Sequence, residues 1–163
     1  MPDSAIKQIM DETGARLALI KTVNGYSFTA KKIDRARRKP WRPGDLPAIN
    51  YWNDEDKFES AGHGHEKRSL SVFVEVHTAT MDEPFTDIAA ALAADICTSL
   101  YRKSDAPSTS DAASPALGGL VTRVIVDSIL PAIGEGQTPY CGVLIELTIK
   151  YNLEINNTFT IVN

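Results

Sequence analysis

Between Gly142 and Glu154 hydrophobic and polar residues alternate along the chain. Val143, Ile145, Leu147, Ile149, Tyr151 and Leu153 fall on every second position, with Leu144, Glu146, Thr148, Lys150, Asn152 and Glu154 between them. This is the period of a strand with one buried face. The run has no proline, is rich in β-branched residues, and exceeds the usual strand length of about 5–6 residues, so it is expected to be the long central strand of a sheet. Leu70, Val72, Val74 and Val76 alternate with Ser71, Phe73, Glu75 and His77 in the same way and predict a second strand. Leu120–Leu130 is apolar on much of both faces and predicts a third. Pro131–Pro139, with two glycines, is expected to turn it back into the alternating run. Ala48–Trp52 reads as a short strand, and Tyr26–Arg35, with Tyr26, Phe28 and Ala30 on one face, as another.

Two segments carry the helical period instead. From Ser4 to about Thr22, Ile6, Ile9, Met10, Thr13, Leu17 and Ile20 recur at three- and four-residue steps, with Asp3 or Ser4 as the cap. Asn24-Gly25 stops this helix; the same pair also fits a two-residue hairpin turn after a strand at 17–23. The second helix has Thr80 and Glu83 at capping-box spacing and Pro84 at a first helical position. Phe85, Ile88, Ala89, Leu92, Ile96 and Leu100 form one face, to about Arg102. Three prolines and a glycine make Arg37–Pro47 a loop. The polar stretches Asn53–Lys67 and Lys103–Pro115 read as exposed connections. The prediction is a single α+β domain over residues 1–163, a two-layer sandwich of a four- or five-stranded, mostly antiparallel sheet with two main helices on one face. The pairs 48–52/70–77 and 120–130/142–153 are the expected hairpins, and 37–47, 53–67 and 103–118 the protruding or flexible segments.

Composition agrees with a domain that has a real core. At 163 residues, 43% of them hydrophobic, folding should bury roughly 70% of the unfolded surface. Cys97 and Cys141 have no motif spacing and no basic-then-apolar leader opens the chain, so a reducing compartment is the expectation. No apolar run approaches the roughly 20 residues a bilayer crossing needs, and no membrane role is expected. The net charge of −4 is unevenly spread. Lys31, Lys32, Arg35, Arg37, Arg38, Lys39 and Arg42 place 7 of the 17 basic residues in one short window, with Asp34 its only acid.

Candidate chemistry is sparse. His63-Gly64-His65-Glu66 is the most metal-like fragment, yet only His77 adds another histidine, and a metal site needs more ligands and an oriented outer shell. Both cysteines sit where cysteine acts as a small apolar residue. No nucleophile elbow, P-loop or dinucleotide fingerprint occurs. No catalytic residue, metal or cofactor is therefore assigned. The basic arm 31–42 around Trp41 suits either a polyanion or an acidic protein surface. In the stiff loop, Arg37, Arg38, Trp41, Arg42, Asp45 and Leu46 are candidate interface residues, Trp41 and Leu46 being the apolar anchors. The outward residues Val121, Ile125 and Ile129 are expected under a helix or against a neighbour.

The chain resembles the tail terminator (tail completion) proteins of long-tailed bacteriophages, the minor tail protein family that includes the terminator of phage lambda. The resemblance rests on the N-terminal helix, DLPAINY at Asp45–Tyr51, SLSVFVEVHT at Ser69–Thr78, the amphipathic helix after Glu83, GLVTRVIVDSILPAI at Gly119–Ile133 and GVLIELTIKY at Gly142–Tyr151. The basic Arg35–Arg42 and the connection at 103–115 depart from it. The resemblance implies a non-enzymatic virion protein, hexameric in the family. Its ring caps the head-proximal end of the tail tube, stops tube polymerisation and offers a docking surface to the head. The implied partners are copies of itself, the tail tube protein and a head–tail connector or neck protein, with DNA passing through the ring. Glu146, Lys150 and Asn152 are then expected near the lumen or a subunit contact. The alternative is a nucleic-acid-binding or neck module that uses the arm 31–42.

Overall fold

A computed structural model of the chain describes residues 3–79, 84–101, 116–134, 140–155 and 157–162. Its elements are α1 (Ala5–Leu17), β1 (Lys32–Arg35), β2 (Ala48–Gly62), β3 (His65–Ala79), α2 (Phe85–Tyr101), β4 (Arg123–Gly134), β5 (Tyr140–Glu154) and β6 (Asn157–Val162). The strands form one sheet in the order β1-β2-β3-β5-β4, with β6 paired to the end of β5. All pairings are antiparallel except β1 with β2. This is the α+β sandwich, with six strands where four or five were expected.

Both helices lie on one face because their apolar stripes and that of the sheet have nowhere else to go. β5 buries Val143, Ile145, Leu147, Ile149, Tyr151 and Leu153, and β3 buries Leu70, Val72, Val74 and Val76 on the same side. Above them lie Ile9, Met10 and Leu17 of α1 and Leu92, Ile96 and Leu100 of α2. Each such side chain contributes roughly 1.5–3 kcal/mol of transfer free energy. β5 is central, with β3 along one side and β4, then β6, along the other. Ser4 caps α1, its hydroxyl accepting from Lys7 N at 3.3 Å.

Several expectations need correcting. Helix α1 ends at Leu17, short of Thr22; a 3-10 turn at Thr22–Asn24 follows, closed by Gly25 at φ 85. No strand forms at Tyr26–Lys31. Tyr26 is buried, and Asp95 of α2 holds Ser27 through its N at 2.7 Å and its hydroxyl at 2.5 Å, leaving only Lys32–Arg35 to pair. Asn53–Lys67 is not a loop but the outer part of a long hairpin. His63 and Gly64 turn it in the left-handed region (φ 52 and 85) between the paired Gly62 and His65, the geometry that suits a two-residue hairpin turn. Pro131 lies in β4 rather than opening a turn, which an edge strand permits because one side needs no ladder donor. The predicted cap at Thr80 and Glu83, residues 103–115 of the segment 103–118 and the turn residues 135–139 lie outside the described residues; the described end of that segment does not protrude, since Ala116 and Leu117 are buried in the core. No helix among those described is long and apolar enough to cross a membrane.

Candidate functional site

With both α-helices on one side, the opposite face of the sheet carries no described α-helix or second sheet, and among the described residues the loop after β1 covers only one end of it. Its rows follow from the register. Ala48, His77 and Gly142 form one row; Asn50, Glu75, Leu144 and Leu130 the next; then Trp52, Phe73, Glu146 and Ser128. Trp52 and Phe73 stack with ring centres 5.5 Å apart, and Leu130 is 54% exposed, so this face is half apolar.

At the end of this face where β2 begins, the loop after β1 folds over the sheet and encloses a pocket of about 320 Å³. The sheet supplies Asn50, Glu75, His77 and Tyr140, and the loop supplies Arg37, Arg38, Lys39, Pro40, Trp41 and Leu46. The chain leaves β1 through Ala36 at φ 53, a left-handed conformation uncommon for alanine, with Ala36 N bonded to Tyr51 O at 2.8 Å. Arg37 then pins the loop. Its Nη1 reaches Asp34 at 2.6 Å, its Nε donates to Lys39 O at 2.8 Å, and its guanidinium lies 4.1 Å from the Trp41 ring centre. Arg37 N donates to Asn50 Oδ1 at 2.8 Å, and Asn50 Nδ2 donates back to Arg37 O at 3.2 Å. The cation–ring contact adds about 0.5–1 kcal/mol, so the loop is held in shape before anything binds.

On the pocket floor His77 Nε2 lies 3.0 Å from Glu75 Oε1, and the His77 ring tilts against Tyr140 at 5.1 Å. The hydrogen bond from His77, opposed by burial, holds the Glu75 carboxyl below the ordinary carboxylate range. At the rim Arg38 and Lys39 are exposed, and their side chains have no partner among the described residues. The pocket therefore offers cations at the rim, rings and aliphatic carbon on the walls, and a carboxylate already satisfied. It suits an apolar side chain flanked by anions.

Of the expected interface residues, Arg37, Arg38, Trp41 and Leu46 line this pocket. Arg42 and Asp45 stand beside it in a tight turn, Asp45 Oδ2 accepting from Arg42 N at 3.3 Å. Glu146, Lys150 and Asn152 share the open face but lie further along β5. Glu146 accepts from Ser128 at 3.3 Å, Lys150 reaches Glu59 at 3.0 Å, and Asn152 is level with Lys67. Sequence reasoning named Lys39 and Pro40 only as part of the basic arm 31–42, and missed Asn50, Glu75, His77 and Tyr140 as site residues. Glu75 and His77 carried a signal, since both fall on the polar side of an alternating strand. Tyr140 carried none, because only the β3–β5 register places it near His77.

Val121, Ile125 and Ile129 do not share a face. A bulge at Asp127 reverses the alternation, so Ile125 pairs with Thr148 on the open face and Ile129 with Ile145 on the helix side. Val121 is buried outside the strand, whereas Ile129 is 43% exposed. The His63–Glu66 fragment occupies the hairpin turn, and among the described residues no group of three or more His, Cys, Asp or Glu stands close enough to hold a metal ion. Burial pushes the thiols of Cys97 and Cys141 up, away from the reactive thiolate. No protein-family model matches the chain, and no curated protein matches it in sequence.

Proposed function

We propose that this protein is a non-enzymatic assembly subunit. Its copies form a closed ring that ends a phage tail tube and presents a docking surface for the head. The observation that carries the reading is the presence of unlike open surfaces on one protomer. One end of the sheet carries the cationic pocket. The other end carries a hairpin holding Asp54, Glu55, Asp56, Glu59 and Glu66 against Lys57 and Lys67. Head-to-tail closure needs two different patches on each copy. The bare face with Trp52, Phe73 and Leu130, together with the apolar outer edge of β4, adds surface for the tube or the connector. The resemblance to tail terminators in DLPAINY and in the two long strands points the same way.

The test is to add the purified protein to polymerising tube protein and image the product by electron microscopy. The reading predicts rings, density at one end of each tube, and shorter tubes as the protein is increased. Tubes of unchanged length with bare ends would sink it.

A second reading has its own support. Arg35 pairs with Asp11 and Arg37 with Asp34, which leaves Lys31, Lys32, Arg38, Lys39 and Arg42 without a side-chain partner among the described residues. Five free cations favour a nucleic-acid backbone through counterion release. This reading predicts DNA affinity that falls steeply with salt. No detectable binding at low ionic strength removes it.

A further inference from the structure

We infer that the pocket under the loop after β1 docks an extended acidic segment of a different protein. That segment seats one apolar side chain against Trp41, Leu46 and Tyr140, lays its acids on Arg38 and Lys39, and runs on across the sheet over Leu144 and Leu130. The inference stands on the surface of a single protomer, so it holds with or without ring closure.

Charge sets the kind of segment. Arg38 and Lys39 are exposed at the rim with no side-chain partner among the described residues, whereas the third lining cation, Arg37, is taken up by Asp34 at 2.6 Å and by the Trp41 ring. Beneath them Glu75 is matched by His77 at 3.0 Å. Two uncompensated cations above walls of ring and aliphatic carbon attract acids at the rim and favour carbon within. The loop is already fixed by Arg37, Asn50 and Trp41, so receiving the segment costs little further ordering on this side.

The sheet continues the site. In the row that crosses the pocket floor, Asn50 and Glu75 are followed by Leu144 on β5 and Leu130 on β4. Leu144 is half-buried and Leu130 is 54% exposed, which leaves an apolar track leading out of the pocket towards the edge of the sheet. From β3 to β4 is two strand spacings, roughly 10 Å, the reach of about three residues of extended chain. A second apolar side chain placed that far along the segment covers Leu130 while the first fills the pocket.

Size and sequence decide between occupants. A volume of about 320 Å³ lies at the small end of ligand sites and takes one side chain and little more. A nucleic-acid strand would meet only two free cations there, above a carboxylate floor. A second copy of this chain lacks the composition: no exposed large apolar side chain among the described residues has an acid on both sides in the sequence, and Phe58, beside Lys57, is level with Arg68.

Peptide titrations followed by NMR test it with the full chain. The probe is a short capped peptide with phenylalanine and leucine three positions apart and acids elsewhere. One control replaces every acid by its amide, a second replaces both apolar residues by serine, and a single-stranded thymidine oligonucleotide is the third. The acidic peptide should shift the Trp41 indole signal and the amides of Leu144 and Leu130 at low salt, and both peptide controls should bind roughly tenfold or more weakly. Arg38→Glu with Lys39→Glu should weaken the acidic peptide by a similar factor, and Leu130→Ser by less. All three positions are exposed, and thermal melts close to wild type establish that the variants fold. Absent or scattered shifts overturn the inference, as does an amide or serine control that binds equally well. An oligonucleotide that shifts the same signals at lower concentration than the peptide gives the pocket to nucleic acid and overturns it too.

Discussion

Strands β2 and β3 run through two different environments, and the contrast explains both the stability of the domain and the surfaces it offers. In the inner half, Ile49 and Tyr51 of β2 and Leu70, Val72, Val74 and Val76 of β3 are buried on the helix side, and Ala48 and Asn50 are buried on the other face as well. In the outer half, from Asp54 to Lys67, almost every residue is exposed or half-exposed, and the hairpin is held by charge. Arg68 is the hub there. Its Nη1 lies 2.9 Å from Asp56 and its Nη2 3.0 Å from Glu66, while Tyr151 donates to Asp56 at 2.9 Å. Burial first, and then this bond to Asp56, push the Tyr151 hydroxyl well above the ordinary tyrosine range. The inner half secures the fold, and the outer half buries little and is held by its charged pairs and its backbone ladder.

The largest effect should come from the inner half. Ile145→Ala removes a fully buried side chain from the central strand and should cost about 2–5 kcal/mol in a urea titration. A loss below about 1 kcal/mol would mean that the helices do not press on this part of the sheet.

That contrast also sets how much could be read beforehand. The inner strands and both helices were legible because burial under the helices imposes a period, as in Leu70–Val76 and in Ile88–Leu100. The outer hairpin was not, because Asn53–Lys67 faces water on both sides and nothing selects an alternation; backbone pairing and the His63-Gly64 turn make it a strand without a hydrophobic signature. β6 was missed for the same reason, with Phe159 exposed and Ile161 only partly buried. The basic loop was legible as an interface candidate from Trp41 and its arginines. The floor beneath it depends on the β2–β3–β5 register, which is non-local and has no trace in a short window.

A smaller effect is expected in the outer half. Arg68→Met leaves Asp56 and Glu66 facing each other without their cation and should cost about 1–3 kcal/mol. Its signature is local: amide exchange should rise across 54–67 while the amides of Ile145 and Leu147 stay protected. Equal acceleration in both halves would show that they unfold as one unit.

The smallest is at the pocket floor. Because the folded pKa of Glu75 is lowered, its bond to His77 stabilises fully above the ordinary carboxylate pKa and is lost as pH falls through the lower, folded value. Glu75→Gln should therefore cost at most about 1 kcal/mol at pH 7, and the difference from wild type should vanish in acid. A difference that grows as pH falls would reverse the sign of the account.

The most direct measurement of the central claim is native mass spectrometry of the wild-type protein across a wide concentration range. The account predicts one discrete oligomer, six copies by the resemblance to tail terminators, that does not grow further as concentration rises. Monomer throughout, or an open-ended ladder of ever larger species, would contradict it.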